Sequence, residues 1–269
     1  MKKTRINWPD VVARAAEIVR GYETGVTLRQ LFYRLVSESR IPNTKLAYDA
    51  LSRPTARARR EGTFPALIDR TRDIHRLTSF DGHEDALAWL RSIYRRDRTE
   101  GQENSLYVGV EKHGLVELLR HWFGDLGVPI ISFGGYASQT YVDEVAADVE
   151  QQGRPAILIY AGDFDPSGMD IPRDFVGRAG CFGEVHRIAL SAEQIQEYDL
   201  PPQPGKEGDP RAASFVREHG ELVQVELDAL PPDVLRELYS EAIAKFFDMD
   251  VYREVLEVEA AEREQLTVG

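Results

Sequence analysis

The chain has a single cysteine, Cys181, in 269 residues, which excludes an internal disulfide and any zinc site that needs several thiolates. A lone cysteine is most simply a small buried residue. No apolar stretch approaches the length of a membrane span. The basic start Met1-Lys2-Lys3-Thr4-Arg5 runs into Asn7, Pro9 and Asp10 rather than the apolar core of a secretory signal, so the expected location is the cytoplasm. No P-loop is present, and neither is an internal repeat or a low-complexity tract. What remains, 42% hydrophobic and 9% aromatic residues, suits a globular protein with a sizeable core in one large or two modest domains.

The net charge of −12 hides an asymmetry. Residues 1–100 carry 20 Lys and Arg against 13 Asp and Glu, whereas residues 101–269 carry 13 against 32. A basic module followed by an acidic one suits a nucleic-acid-binding domain joined to a domain whose carboxylates hold metal, because Lys and Arg supply most of the affinity for a phosphate backbone. A solvated basic surface has the same composition.

The patterning divides in the same place. Up to Arg98 it is mainly helical, with helices expected near Asp10–Arg20, Thr27–Glu38, Thr44–Arg60 with an interruption at Pro54, and Asp81–Ile93. Three helices and an extended piece at Thr63–Ile68, before the polar Asp69–Arg72, suggest a winged-helix domain over residues 1–100. The charged run Arg95–Asn104 is the linker candidate. Beyond it, residues 101–269 alternate: strands at Leu106–Val110, Val128–Phe133 and Ala156–Ala161, and helices at Gly114–Phe123 and Gln139–Gln151. Further strands are expected at Val185–Leu190 and Leu222–Leu227. A long helical stretch from about Asp233 carries Val234, Leu235, Leu238, Ala242 and Ile243 as a core stripe. The order is that of an α/β, Rossmann-like domain with a mainly parallel sheet and a C-terminal helical extension.

Acidic residues close two of the apolar runs. Glu111 follows Leu106–Val110, and Asp163-Phe164-Asp165-Pro166-Ser167-Gly168 follows Ala156–Ala161. Open α/β sheets place ligands at the carboxyl ends of their strands, so the three carboxylates should converge there. Extended backbone would point Asp163 and Asp165 the same way, and Pro166 restricts Asp165 to that backbone. Mg²⁺ takes oxygen ligands and keeps water or phosphate on its other positions, which matches Glu111, Asp163 and Asp165. Crowding by the aspartates should raise the proton affinity of Glu111 and suit it to acid or base work.

With Val110-Glu111-Lys112 and Gly162–Ile171, the segment from Leu106 to Ile171 resembles the Toprim domain. The Pro and Gly after the Asp-x-Asp most resemble the A subunit of topoisomerase VI and the related meiotic double-strand-break proteins. That resemblance implies a general acid/base at Glu111 and Mg²⁺ on Asp163 and Asp165. The same family carries a Thr-Arg motif ending in an aromatic-Tyr pair, matched here by Thr27-Leu28-Arg29-Gln30-Leu31-Phe32-Tyr33. By resemblance Tyr33, beside Arg29, is the nucleophile that attacks a DNA phosphodiester and stays joined to a 5′ phosphate, with the metal site supplied by the other chain of a homodimer.

The residues themselves support part of this. Thr27 and Gln30 have the spacing of a capping box, and Leu28, Leu31, Phe32, Leu35 and Val36 make an apolar stripe that leaves Tyr33 to one side with Arg29. A guanidinium nearby should favour phenolate and bound phosphate, while a tyrosine at such an edge also packs its ring and wets its hydroxyl without catalysis. Arg53, Arg57 and Arg60 could line one face of a DNA-contacting helix or simply be solvated; Lys112 and His113 could touch phosphate or lie at the surface. Departures from the family stand at Gly134–Tyr141, where its Pro-Asp and Arg are missing, and after Arg187, where the chain resembles Toprim proteins of phages and mobile elements. Any strand passage would need a separate ATPase subunit. The expectation is Mg²⁺-dependent DNA cleavage of the topoisomerase VI A type; the alternatives are a hydrolytic Toprim nuclease and a non-catalytic nucleic-acid-binding module.

Overall fold

A computed structural model describes residues 6–68, 77–205 and 208–266. The chain begins with three helices, α1 (Trp8–Arg20), α2 (Leu28–Ser37) and α3 (Lys45–Arg60). The capping box at the start of α2 forms in full: Thr27 Oγ1 accepts the Gln30 N–H at 3.2 Å, and Gln30 Oε1 accepts the Thr27 N–H at 3.0 Å. The expected stripe is buried as Leu31, Phe32, Leu35 and Val36, packed with Val11, Ala15 and Val19 of α1 and Leu51 of α3. No break occurs at Pro54. Leu51, Thr55 and Ala58 are buried on one face of α3, and the Thr55 hydroxyl donates to the Leu51 carbonyl at 2.9 Å, so tertiary packing carries the helix through a residue that would otherwise interrupt it. Thr63–Ile68 forms no strand; the Thr63 N–H donates to Ala58 O and the Ile68 N–H to Val26 O, each at 3.0 Å, and these bonds tie down its two ends. The Asp69–Arg72 stretch lies outside the described residues. Helix α4 (His83–Ile93) follows.

Next comes the alternating unit: β1 (Ser105–Val110), α5 (Val116–Phe123) entered by a 3-10 turn at His113–Leu115, β2 (Ile130–Ser132), α6 (Gln139–Gln152), β3 (Ala156–Ala161), α7 (Pro166–Ala179) and β4 (Phe182–Ala189). The four strands form one parallel sheet in the order β2-β1-β3-β4. Every residue of β1 and β3 is buried, as central parallel strands covered on both faces require. Alternation divides them: Leu106, Val108, Val110, Ile157 and Ile159 enter one core with α5, while Tyr107, Leu158 and Tyr160 enter another with α6 and α7. Each such side chain contributes about 1.5–3 kcal/mol on full burial.

The rest of the chain is α8 (Ala192–Glu197), β5 (Gln203–Pro204), α9 (Ala212–His219), β6 (Val223–Gln224), α10 (Pro232–Ile243) and α11 (Met249–Gln265). Two expectations change here. Leu222–Leu227 is not a sheet strand: β6 pairs only with β5, Val225 bridges to Phe164, and Leu227–Ala229 turns as a 3-10 helix. The terminal helical stretch is two helices, because Asp248 caps a new one by accepting the N–H groups of Asp250 and Val251. The stripe on α10 does enter the core, with Leu235, Tyr239, Ala242 and Ile243 buried. Arg95–Asn104 is docked rather than free. Arg98 donates to the Glu259 carboxylate on α11 at 2.7 and 3.0 Å, and Arg96 and Tyr94 both donate to Glu262.

Candidate functional site

In the order β2-β1-β3-β4 the chain leaves β1 for β2 on one side and reaches β3 on the other, so the connections diverge between β1 and β3. Parallel sheets open a crevice at such a point, beyond the carboxyl ends of the strands. Glu111 follows β1 and Asp163 follows β3 by two residues, so both stand at its mouth. They are joined directly: Glu111 Oε2 accepts the Asp163 N–H at 2.8 Å.

Asp163 is 6% exposed. Its Oδ1 accepts the Leu227 N–H at 2.8 Å, and its Oδ2 lies 2.6 Å from Lys112 Nζ. The same ammonium contacts Glu226 Oε2. Asp165, extended at φ −155° and ψ 171° as its following proline demands, caps α7 by accepting the Gly168 N–H at 2.6 Å. Gly168 is a packing residue more than a turn residue, since a Cβ there would collide with the Asp163 carbonyl. Arg187, at the end of β4, donates to the carbonyls of Gly162, Asp163 and Gly168 and so pins the loop that carries both aspartates.

Charge is crowded in this crevice. Burial pushes the Glu111 carboxyl above its usual range, and the Asp165 charge adds to this against the Asp163 N–H, Lys112 and Arg187. Burial raises Asp163 too, with Glu111 and Glu226 adding to it and Lys112 offsetting it in part. For Lys112 burial acts downward, but Asp163 and Glu226 outweigh it and keep the ammonium charged. Asp228, buried two residues beyond Glu226, is pushed by that burial up to about 6. Among the described residues, no three His, Cys, Asp or Glu side chains form a ready-made metal cage.

Tyr33 meets this cluster within the same chain, whereas the resemblance implies a metal site supplied by the other chain of a homodimer. Its ring centroid is 5.9 Å from Lys112 Nζ and 5.6 Å from the Arg29 guanidinium carbon, and Arg29 Nη2 is 3.5 Å from the phenol oxygen. The ring also packs edge-on against Phe32. Contrary to expectation, the phenol's proton affinity is raised: burial and the Glu226 charge outweigh Arg29 and Lys112. Three further contacts hold α2 against the sheet domain. Gln30 Nε2 donates to Gly114 O at 3.1 Å, Arg34 Nη1 donates to Ala229 O at 2.9 Å, and α2 packs on the Leu227–Ala229 turn. A cleft of about 300 Å³ opens beside Tyr33, lined by Arg29, Asn43, Lys45 and Tyr48.

Arg53, Arg57 and Arg60 are exposed along α3, and Arg57 pairs with Glu61 at 2.7 Å. His113 is exposed, whereas Lys112 is turned into the acidic cluster rather than toward the surface. Sequence reasoning gave no role to Glu226, Asp228 or Arg187. Glu226 and Asp228 alternate with Val225 and Leu227 and so resemble the wet face of a strand, and nothing in their spacing reveals that a chain reversal brings them to Asp163. No protein-family model matches the chain, and no curated protein matches it.

Proposed function

We propose that this chain cleaves DNA with the help of a divalent metal ion, Tyr33 being the nucleophile and Glu111, Asp163 and Asp165 the acidic centre, as the resemblance to the topoisomerase VI A subunit implies. The observation that carries the reading is the meeting of Tyr33 with the acidic crevice through Lys112, 5.9 Å from the ring and 2.6 Å from Asp163. The donor chemistry fits Mg²⁺: every candidate ligand is a carboxylate oxygen. Among the described residues Glu111 Oε1 and Asp165 Oδ2 have no hydrogen-bond partner, while both oxygens of Asp163 are engaged by Leu227 and Lys112. Asp165, with Asp163 beside it, would hold the ion, leaving Glu111 free to act as the acid and base. A bound divalent ion would neutralise phosphate charge and polarise the P–O bonds.

The chain's own groups supply the rest. Tyr33 gives its proton to a solvent water as its oxygen bonds to phosphorus. The P–O3′ bond breaks, a 5′-phosphotyrosyl link remains, and the leaving 3′ oxygen takes a proton from Glu111, whose raised proton affinity suits that step. Arg29 and Lys45, on the cleft beside Tyr33, would hold phosphate, and the exposed Arg53, Arg57 and Arg60 would grip more of the backbone. Cutting both strands of a duplex calls for two chains, one tyrosine for each strand, and strand passage for a separate ATPase.

Labelled DNA is incubated with Mg²⁺ and protein, denatured, and tested for label joined to the chain. Wild type should retain label and Tyr33→Phe should not. A mixture of Tyr33→Phe and Glu111→Gln chains regains the link only if the centre is assembled from two chains. The raised proton affinity of Tyr33 favours a second reading, water-driven hydrolysis at the same acidic centre; free cleaved ends from both wild type and Tyr33→Phe would establish it and overturn the first.

A further inference from the structure

Helix α3 carries five cations, Lys45, Arg53, Arg57, Arg59 and Arg60, against one acid, Asp49. Leu46, Arg53, Arg57 and Arg60 stand seven, four and three residues apart, so they share one face of the helix, and that face is turned to solvent. Leu46 is 80% exposed. A lone leucine in water needs no explanation by itself. This one is the large apolar residue on the arginine face, and it stands at the end of α3 nearest Tyr33, next to Lys45.

The cleft of about 300 Å³ beside Tyr33 is lined from that same end of α3 by Thr44, Lys45 and Tyr48, and its size is at the small end of the range for ligand pockets. Its wall is aromatic. The buried Phe32 holds the Tyr33 ring edge-on at 5.4 Å and the Tyr48 ring at 5.3 Å. Arg29 and Lys45 flank the two tyrosines, and neither is in an ion pair among the described residues. A phosphate needs the cations but not the rings. An aromatic wall beside free cations suits one whole nucleotide, its base packed on tyrosine and its phosphate on Arg29 and Lys45. In duplex DNA a base reaches such a wall only by leaving the stack, and exposed leucines are among the wedges that open a base step.

We propose that Leu46 is a wedge that enters the base stack while the arginine face of α3 holds the backbone, and that the displaced nucleotide seats in the cleft beside Tyr33. The preferred substrate is then duplex DNA with a mismatched or unpaired step, where a base leaves the stack at least cost. The inference rests on the DNA reading given above but not on cleavage, so binding tests it. The full chain is titrated in EDTA, where nothing is cut, with two end-labelled duplexes of one sequence, one fully paired and one with a central T·T mismatch. Wild type should bind the mismatched duplex about tenfold or more tightly. Leu46→Ala should bring that ratio close to one and weaken binding of the paired duplex by less than about twofold, because the arginines supply that affinity. Its circular dichroism should match wild type, since Leu46 packs in no core. Leu46→Phe, which keeps a wedge, should keep the preference, and Tyr48→Leu, which removes a ring from the wall, should lower it. Equal binding of the two duplexes by wild type overturns the inference and leaves the DNA reading standing, and so does a preference that survives in Leu46→Ala. A wild type that holds neither duplex at low salt overturns both.

Discussion

Replacing Lys112 with methionine keeps most of the stem and volume of the side chain and deletes its ammonium. In the wild type that ammonium lies 2.6 Å from Asp163 and also contacts Glu226; the three side chains are 15%, 8% and 22% exposed. Removing one partner of a fully buried pair costs about 3–5 kcal/mol, because the other charge is left without compensation. Water reaches Lys112 and Glu226 in part, so a loss of about 2–3 kcal/mol is expected. Urea unfolding at pH 7 measures it as a lower midpoint with an unchanged slope. The same titration with Mg²⁺ adds a second reading. A divalent ion that binds these carboxylates replaces the missing ammonium, so the variant should gain more from Mg²⁺ than wild type does, by up to about 2.7 kcal/mol at a hundred times the dissociation constant. A loss under about 0.5 kcal/mol would show that the ion pair carries no buried charge. Equal Mg²⁺ gains in the two proteins would show that the ion and Lys112 do not share ligands.

Other outcomes follow from single contacts. Glu259 is 2% exposed, and the Arg98 guanidinium holds its carboxyl at about 2 against an ordinary 4.5. Its folded value is the depressed one, so its stabilisation, about 3 kcal/mol, is complete above about pH 5 and is lost as the pH falls toward 2. Urea midpoints measured from pH 7 to 2 should therefore fall more steeply for wild type than for Glu259→Gln. Gly168→Ala, whose new methyl collides with the Asp163 carbonyl, should cost about 1–3 kcal/mol in thermal unfolding and abolish any stabilisation by Mg²⁺. If Arg53, Arg57 and Arg60 each contact one phosphate, changing all three to alanine should lower the slope of log affinity for duplex DNA against log salt by about 2.7; an unchanged slope would assign them to solvent.

The sheet was legible because its strands announce themselves. Leu106–Val110 and Ala156–Ala161 are unbroken apolar runs that only a strand buried on both faces explains, and the acids at their ends follow from the topology. The start of α2 was equally plain, since a capping box is a local device written within four residues. What failed was non-local. Pro54 is a sound local signal for a break, yet the burial of Leu51, Thr55 and Ala58 overrides it. Leu222–Leu227 has the alternation of a strand, but it joins no strand of the main sheet and instead brings an N–H to Asp163 and a carboxylate to Lys112. The charged run at Arg95–Asn104 has the composition of a linker, and only the fold shows that a buried glutamate from the far end of the chain waits for Arg98. The reversal at Tyr33 has the same origin: adjacency to Arg29 is readable from the helix period, whereas enclosure and the Glu226 charge are not.

The short segment from Val225 to Ala229 bonds both to the crevice and to the helix beside it. Val225 is bonded to Phe164 between the two aspartates, Glu226 to Lys112, the Leu227 N–H to Asp163, and the Ala229 carbonyl to Arg34 on the helix that carries Tyr33. It is thus a strut between the basic helices and the acidic sheet edge. Because five consecutive residues bond to both α2 and Asp163, the seat of Tyr33 and the seat of the aspartate are set by one piece of backbone, and the two cannot be repacked independently.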